Sequence, residues 1–356
     1  MKRHGAPKSK SEKDNYAKQA QQARSCVLQA KEYFDAANTS SLYTGPNHAY
    51  YGSIALTSLS MLILGDGRNA LDQLRKNNEN NHHGLDFTLG CNVKSAMQGI
   101  NLLESSRAEI LNKGHFRNWY NLLPARGSVH AITDYTLTND QRRINYESIG
   151  GYDTPKIEQL KKKKTALDLI KYLPDLDQDL ARYGVGVFRS RTNLDVKIER
   201  GNKVIYTWRI HGCRSESELE ALLANFLTKS DSQNKFTWSG FDGQLSGIVR
   251  FESPTNEPTP FIWPSSRDTM SHESISYADM DETHELVDLY VLAYQFSMLS
   301  RYYPDIWVSC LESQCRAAKI IERANSIIIK KLPILILSVL RDVQVIISTH
   351  RAPWMK

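Results

Sequence analysis

Residues 48–64 read HAYYGSIALTSLSMLIL, and their apolar positions fall on every side of a helix: Tyr50, Tyr51, Ile54, Ala55, Leu56, Leu59, Met61, Leu62, Ile63 and Leu64, with Gly52 among them. A helix without a polar stripe has no face to give to water, so it belongs inside a bundle of other helices. Thr44-Gly45-Pro46 opens it, since proline is tolerated in a first turn, and Gly65-Asp66-Gly67 stops it.

Partners for such a helix are legible on either side. Residues 14–37 carry Ala17, Ala20, Ala23, Val27, Leu28, Ala30, Tyr33 and Phe34 as an apolar stripe between Gln, Lys and Arg, which predicts one long helix. A short helix over Asn69–Arg75 is expected next, then a polar loop that ends at His82-His83-Gly84-Leu85, then a helical stretch from about Asn92 to Leu111. Thr165–Tyr172 reads as helix, and Pro174-Asp175 as a turn before a short helix through Tyr183. Glu285–Ser300 is apolar on most sides and reads as a second enclosed helix. Pro304 breaks it, and helices over Trp307–Lys331 and Pro333–Ser348 follow.

Residues 184–263 change character. Leu194, Val196 and Ile198 alternate with Asp195, Lys197 and Glu199. Beyond Gly201-Asn202, Val204, Tyr206, Trp208 and Ile210 alternate with Lys203, Thr207, Arg209 and His211, a hairpin with period two on both arms. A two-residue turn would put the two apolar rows on opposite faces. An odd-length loop, such as Gly201-Asn202-Lys203, pairs Ile198 with Tyr206 and puts them on one face, so that register is expected. A helix (Glu216–Leu227) and a strand pair around Phe236–Phe251 complete a small α+β unit, while the pattern between Ser128 and Lys161 supports no assignment. The expected fold is α+β and predominantly helical. It has a disordered basic tail (1–12), an N-terminal helical region (13–183), a small antiparallel β-rich insertion (184–263) and a C-terminal helical region (264–356) that packs on the N-terminal one.

Composition fits a folded globular chain: 356 residues, 41% hydrophobic and 24% charged. A net charge of +6 permits contact with nucleic acid or an acidic partner and requires neither. Cys26, Cys91, Cys213, Cys310 and Cys315 are odd in number and scattered, which reads as free thiols in a reducing compartment. The most apolar run, Leu332–Leu340, is about half of what a bilayer crossing needs. No apolar run follows the basic start, so a cytoplasmic protein without a membrane partner is expected.

Several pieces together resemble a known family. They are Tyr50-Tyr51-Gly52 on the enclosed helix, His83-Gly84-Leu85 downstream, and Leu299-Ser300-Arg301-Tyr302-Tyr303-Pro304-Asp305-Ile306-Trp307 near the end. In this order, with the Gln-Ala-rich first helix and the Leu173-Pro174-Asp175-Leu176 turn, they look like the YaaC-like bacterial proteins from about Gln19 to Leu340. The resemblance implies structural roles for Tyr50, Tyr51, Gly52, Gly84, Arg301, Tyr302, Pro304 and Trp307, and little about function. An aromatic-small pair opening a buried helix, a glycine stop and a downstream His-Gly are also similar to HEPN-type helical domains. These occur in bacterial toxins, defence proteins and nucleotide-handling partners. The same residues have a packing role, since Gly52 allows close helix approach and Tyr50 and Tyr51 fill a bundle core.

Similarity to HEPN ribonucleases implies an Arg and a His separated by four to six residues. The guanidinium stabilises phosphate charge, and the imidazole acts as general acid or base. Arg75 and His82 are separated by six residues, with His83 following, and Arg267 and His272 by four. With 22 Arg and 10 His in the chain, about two such pairs arise by chance. Position within the helical unit is what favours Arg75, His82 and His83. Pro174-Asp175 with Asp195-Val196-Lys197 has the form of a metal-dependent PD-(D/E)xK nuclease. However, Asp195 and Lys197 are the outward residues of an alternating hairpin, and Asp175 stands at a helix start, where a carboxylate caps N–H groups. Asp279, Asp281, Glu282, His284 and Asp288, with His272, form the densest cluster of acids and imidazoles, but acids before a helix are ordinary dipole complements. Cys310 and Cys315 lack the second pair of a zinc site. No metal and no cofactor are expected, and no P-loop, G-x-G-x-x-G after a strand, G-x-S-x-G or H-E-x-x-H is found.

For nucleic acid, the hairpin region offers Arg189, Arg191 and Arg209 as candidate contacts. A stacking platform needs aromatics and cations together, and the alternation separates Tyr206 and Trp208 from the basic residues, so a solvated face is the plainer reading. Three function classes follow. The first is a non-enzymatic interaction subunit of a defence or stress-response complex, with a protein partner or a second copy of the chain. The second is a metal-independent HEPN-like ribonuclease using Arg75 and His82. The third is a nucleic-acid-binding accessory protein.

Overall fold

The computed structural model describes residues 9–67, 70–76, 82–123, 126–138, 141–153, 157–160, 163–171, 173–186, 189–199, 203–213, 235–241, 244–254, 266–267, 273–276 and 285–341. The chain divides into two compact units. One comprises Met1–Leu123, Pro155–Gly186 and Thr283–Arg341; the other comprises Pro124–Thr154, Val187–Glu282 and Asp342–Lys356.

The first unit holds the helices α1 (Lys10–Thr39), α2 (Gly45–Leu64), α3 (Leu71–Lys76), α4 (Val93–Ala96), α5 (Asn101–Ser105), α6 (Gly114–Tyr120), α7 (Ala166–Lys171) and α8 (Asp177–Arg182). Its last three are α9 (Glu285–Tyr302), α10 (Pro304–Glu312) and α11 (Arg316–Arg341). With strands numbered along the whole chain, β1 (Leu85–Leu89), β2 (Ser106–Ile110) and β5 (Lys163–Thr165) form a three-stranded antiparallel sheet in the order β1-β2-β5.

As its composition predicts, α2 lies enclosed, packed by α1, α9, α11 and α6. Its buried hydroxyls are satisfied one turn back. Ser53 donates to the Ala49 carbonyl at 2.7 Å, Thr57 to Ser53 at 3.0 Å and Ser60 to Leu56 at 2.9 Å, so the helix carries no unmet polar demand there. At Gly52 the helix lies against α1, where a Cβ would stand 2.8 Å from the Phe34 ring. The second enclosed helix, α9, is buried at every position from Glu285 to Ser297.

Helix α1 begins inside the stretch read as a tail, because Ser9 caps it by accepting from the Glu12 N–H at 3.2 Å. Its glutamines hold the link between α2 and α3. Fully buried Gln19 donates to the Gly67 carbonyl at 2.7 Å, and Gln22 accepts from the Leu71 N–H at 2.8 Å.

Three expectations are overturned in this unit, one of them the single helix over Trp307–Lys331, which the chain breaks after Glu312 and restarts at Arg316. Instead of one helix over 92–111, the chain makes α4 and α5 and then turns into β2. Ser106, Ala108 and Ile110 are buried while Arg107 is exposed, and pairing with β1 sets Phe87 opposite Ala108 and Leu85 opposite Ile110. Nor does Pro333 end a helix, since α11 runs through it. A proline inside a helix costs about 3 kcal/mol. Buried Leu332, Ile336 and Val339 on either side of it keep α11 continuous. The Pro304 break is found, with α9 ending at Tyr302 and Pro304 opening α10. Among the described residues, no helix is long and apolar enough to cross a membrane.

In the second unit, β3 (Arg126–Thr138) and β4 (Gln141–Asp153) form a two-stranded antiparallel ribbon with two irregularities in register, where the sequence pattern supports no assignment. The others are β6 (Arg189–Glu199), β7 (Lys203–Cys213), β8 (Lys235–Phe241), β9 (Gln244–Pro254), β10 (Ser266–Arg267) and β11 (Glu273–Ser276). They make an antiparallel sheet in the order β10-β11-β6-β7-β9-β8. The β6–β7 register pairs Leu194 with Trp208, Val196 with Tyr206 and Ile198 with Val204. The loop is therefore odd, as the one-face argument requires. It spans residues 200–202 instead of 201–203, so Ile198 meets Val204 and not Tyr206. The expected helix over 216–227 lies outside the described residues. The chain is α+β, with helices dominant in the first unit and antiparallel strands in the second.

Candidate functional site

The segment from Leu299 to Trp307 turns the chain from α9 into α10. The Tyr303 N–H closes α9 on the Leu299 carbonyl at 3.1 Å, and Pro304 takes the first position of α10, where a missing N–H is harmless. Trp307, fully buried, donates from Nε1 to the Leu42 carbonyl at 2.9 Å and fastens this corner to the link between α1 and α2.

The corner fixes Arg301. Its Nη1 donates to the Tyr51 hydroxyl at 2.9 Å and its Nη2 to the Tyr302 hydroxyl at 3.1 Å. The guanidinium carbon lies 5.5 Å from the Tyr51 ring centroid and 4.9 Å from that of Tyr302, both within cation–π range. Tyr51 in turn stacks on Tyr33 at 5.6 Å. Among the described residues, the polar partners of Arg301 are these two neutral hydroxyls, and neither is a carboxylate. Tyr302 is 57% exposed, so its ring stands open to solvent beside the cation.

His83 reaches the same neighbourhood from the turn before β1. Gly84 (φ +80°) and Gly114 (φ +86°) let this turn lie directly on the start of α6. A Cβ on Gly84 would meet the Lys113 carbonyl oxygen at 2.7 Å, and one on Gly114 would meet the His82 oxygen at 2.6 Å. The N–H groups of His115 and Phe116 donate to the His82 and His83 carbonyls at 2.8 and 3.0 Å. So held, the His83 ring places Nδ1 3.1 Å from the hydroxyl of buried Tyr50 and packs edge-on against that ring. Tyr294 packs on both, with its own hydroxyl donating to the Leu85 carbonyl at 3.0 Å.

Burial first, then the positive charges of Arg301 and His82, push the His83 imidazole below its usual range. Burial, reinforced by the neighbouring tyrosines, pushes the Tyr50 hydroxyl up, so it stays protonated. Among the described residues, the arrangement is a neutral imidazole and a guanidinium hydrogen-bonded to hydroxyls, set among aromatic rings.

Of the residues singled out by the sequence, the fold thus gathers Tyr50, Tyr51, His83, Arg301 and Tyr302, with Gly52 and Gly84 where backbones approach and Pro304 and Trp307 building the corner. Arg75 falls in α3, and His82 is exposed. Arg189, Arg191 and Arg209 lie on β6 and β7 in the second unit. Tyr290 and Tyr294, which line the buried side of the site one turn apart on α9, escape a reading that sees only an apolar helix. Their signal is the i, i+4 spacing.

Carboxylates weighed for metal chemistry are engaged otherwise. Asp175, read as a helix cap, accepts from Lys331 Nζ at 2.6 Å, and Glu285 accepts from the same ammonium at 2.5 Å. Asp288 pairs with Lys164 at 3.2 Å, both side chains 3% exposed. Lys164 is therefore a buried cation. Asp279, Asp281, Glu282, His284 and His272 lie outside the described residues. Among those described, no group of three His, Cys, Asp or Glu is placed to hold a metal.

The family model described as YaaC-like Protein matches residues 2–340. No curated protein and no solved structure matches the chain.

Proposed function

The chain belongs to the YaaC-like family over nearly its whole length, and we propose that it is a non-catalytic binding subunit that takes a nucleotide, free or at the end of an RNA strand, at the corner of Tyr51, Arg301 and Tyr302. Arg301 carries this reading. It is a guanidinium fixed by two neutral hydroxyls, next to an aromatic ring open to solvent. A cation for phosphate and a face for a base are the two groups nucleotide recognition needs in one place. A partner, another protein or a second copy of the chain, fits the exposed Val27 and Leu28 side by side on α1. A defence or stress-response complex is the setting in which such a subunit would act.

Titration calorimetry with a nucleoside monophosphate and with the matching nucleoside tests the site. The nucleotide binds, the nucleoside binds at least about tenfold more weakly, and Arg301→Ala removes the difference. Equal affinities for the two in the wild type would refute the reading.

A second reading makes the same residues catalytic: a metal-independent ribonuclease with His83 as base and Arg301 on the phosphate, in place of Arg75 and His82. The neutral imidazole near a guanidinium favours it. RNA cleavage by the wild type that His83→Ala abolishes supports this alternative. Intact RNA with retained nucleotide binding supports the first.

A further inference from the structure

The turn between α10 and α11 brings two thiols together. Cys310 Sγ and Cys315 Sγ are 3.6 Å apart, in hydrogen-bond contact. Cys310 is fully buried near the end of α10, and half-buried Cys315 immediately precedes Arg316, where α11 starts. Ser313 holds the intervening loop, donating from Oγ to the Cys310 carbonyl at 2.7 Å and accepting from the Cys315 N–H at 3.3 Å. Gln314, at φ 53°, is the one non-glycine residue with positive φ among those described. The start of α11 is fastened independently, by the Ala317 N–H on the Gly99 carbonyl at 2.8 Å and by Arg316 Nη1 on the Tyr183 carbonyl at 2.9 Å. An uncommon backbone conformation thus sits in a short loop that holds two sulfurs within reach of each other.

Of the two thiols, half-buried Cys315 is the more exposed. Cys91 and Ser95 line an open hollow of about 460 Å³, and Cys315 Sγ lies 3.9 Å from the carbonyl of Ala96, next to that wall. Burial, and then the charges of Cys315 and Cys91, push the Cys310 thiol up, so it stays protonated and suits the resolving role better than the attacking one.

We propose that Cys310 and Cys315 are a thiol-oxidation site that closes reversibly to a disulfide when the protein meets a hydroperoxide. Cys315 Sγ attacks one peroxide oxygen. The S–O bond forms, the O–O bond breaks, and the second oxygen leaves as water with the thiol proton. Cys310 Sγ then attacks the Cys315 sulfenic acid. The S–S bond forms, the S–O bond breaks, and the departing hydroxide leaves as water with the Cys310 proton. With hydrogen peroxide, two thiols lose two electrons and one peroxide becomes two waters.

The test treats the full chain with hydrogen peroxide, blocks the remaining thiols by alkylation and maps tryptic peptides by mass spectrometry. The peptide holding Cys310 and Cys315 comes out unalkylated and lighter by two hydrogens, and dithiothreitol restores alkylation at both. In Cys310→Ser, Cys315 stops at a sulfenic acid that dimedone traps. Because Cys310 is buried and its variant can lose the fold, the wild-type map decides alone. Full alkylation of both thiols after peroxide, or a disulfide that joins Cys91 to either, overturns the proposal.

Discussion

Arg301 donates to the hydroxyl of Tyr51, 250 residues earlier in the chain, across 2.9 Å, and so ties the end of α9 to α2 at the surface of the first unit. The guanidinium also serves Tyr302, which makes one side chain the link between two helices and an exposed ring. Replacing it tests packing and recognition at once. Arg301→Lys keeps the charge but cannot fork to both hydroxyls, so about 1 kcal/mol of stability is lost and nucleotide binding falls about tenfold. Urea denaturation and calorimetry read the two effects separately. Unchanged binding by Arg301→Lys would show that the guanidinium geometry is irrelevant.

His83 makes the site pH-dependent. Its folded-state pKa is depressed from the ordinary 6.5, by burial first and then by Arg301 and His82. The folded state thus holds fewer protons than the unfolded one. The associated stability is present above about pH 6.5 and is lost as pH falls toward the folded-state value. His83→Gln flattens that part of the pH–stability curve. A bound phosphate favours the imidazolium, so nucleotide binding tightens on acidification and the His83 NMR titration midpoint moves up with ligand. A free-protein midpoint at or above the ordinary value would contradict this account.

Lys331 is a buried cation shared by Asp175 and Glu285. Burial opposes its charge, and the two carboxylates overcome that and raise its pKa, so the ammonium persists across ordinary pH. Lys331→Met takes the shared ammonium away from two buried carboxylates and costs about 3–5 kcal/mol, a drop in Tm on the order of 10 °C. Adding Asp175→Asn and Glu285→Gln recovers part of the loss, because the two charges that the ammonium offset are then removed as well. A thermal melt of Lys331→Met within about 2 °C of the wild type would show that the triad contributes little.

Gly84 carries a positive φ, and a side chain there would run into the Lys113 carbonyl. Gly84→Ala is expected to cost about 1–3 kcal/mol and to loosen the His83–Tyr50 contact, since the turn that delivers the imidazole must shift. By contrast, the nearest atoms that a Cβ at Gly52 would meet belong to the Phe34 ring, a side chain that can move. The NMR signal of His83 moves in the first variant and holds in the second. The reverse outcome would place the constraint in helix packing instead of the turn.

Hydrophobic pattern carried much of the fold. A segment apolar on all sides has one stable place, and that alone puts α2 and α9 inside. Pro304 and the glycines flanking α2 mark real boundaries because each acts on its own backbone. What failed is equally physical. Ser106–Ile110 alternates in burial, yet Arg, Ala and Glu suit a helix well, and only pairing with β1 selects the strand. Pro333 marks a helix end by local rules, and the buried residues around it overrule them.

The chain by itself determined which helices are enclosed, and its family resemblance singled out Tyr50, Tyr51, Gly52, Gly84 and the Arg301–Trp307 segment, while the strands over 126–153 stayed unassigned. Tertiary structure alone decided their chemistry. Lys164 meets Asp288 124 residues away, and Lys331 meets Asp175 across 156. Burial periodicity is a local property, written every few residues. The partner of a charge is chosen by whatever the finished packing brings within reach, and no spacing along the chain encodes it.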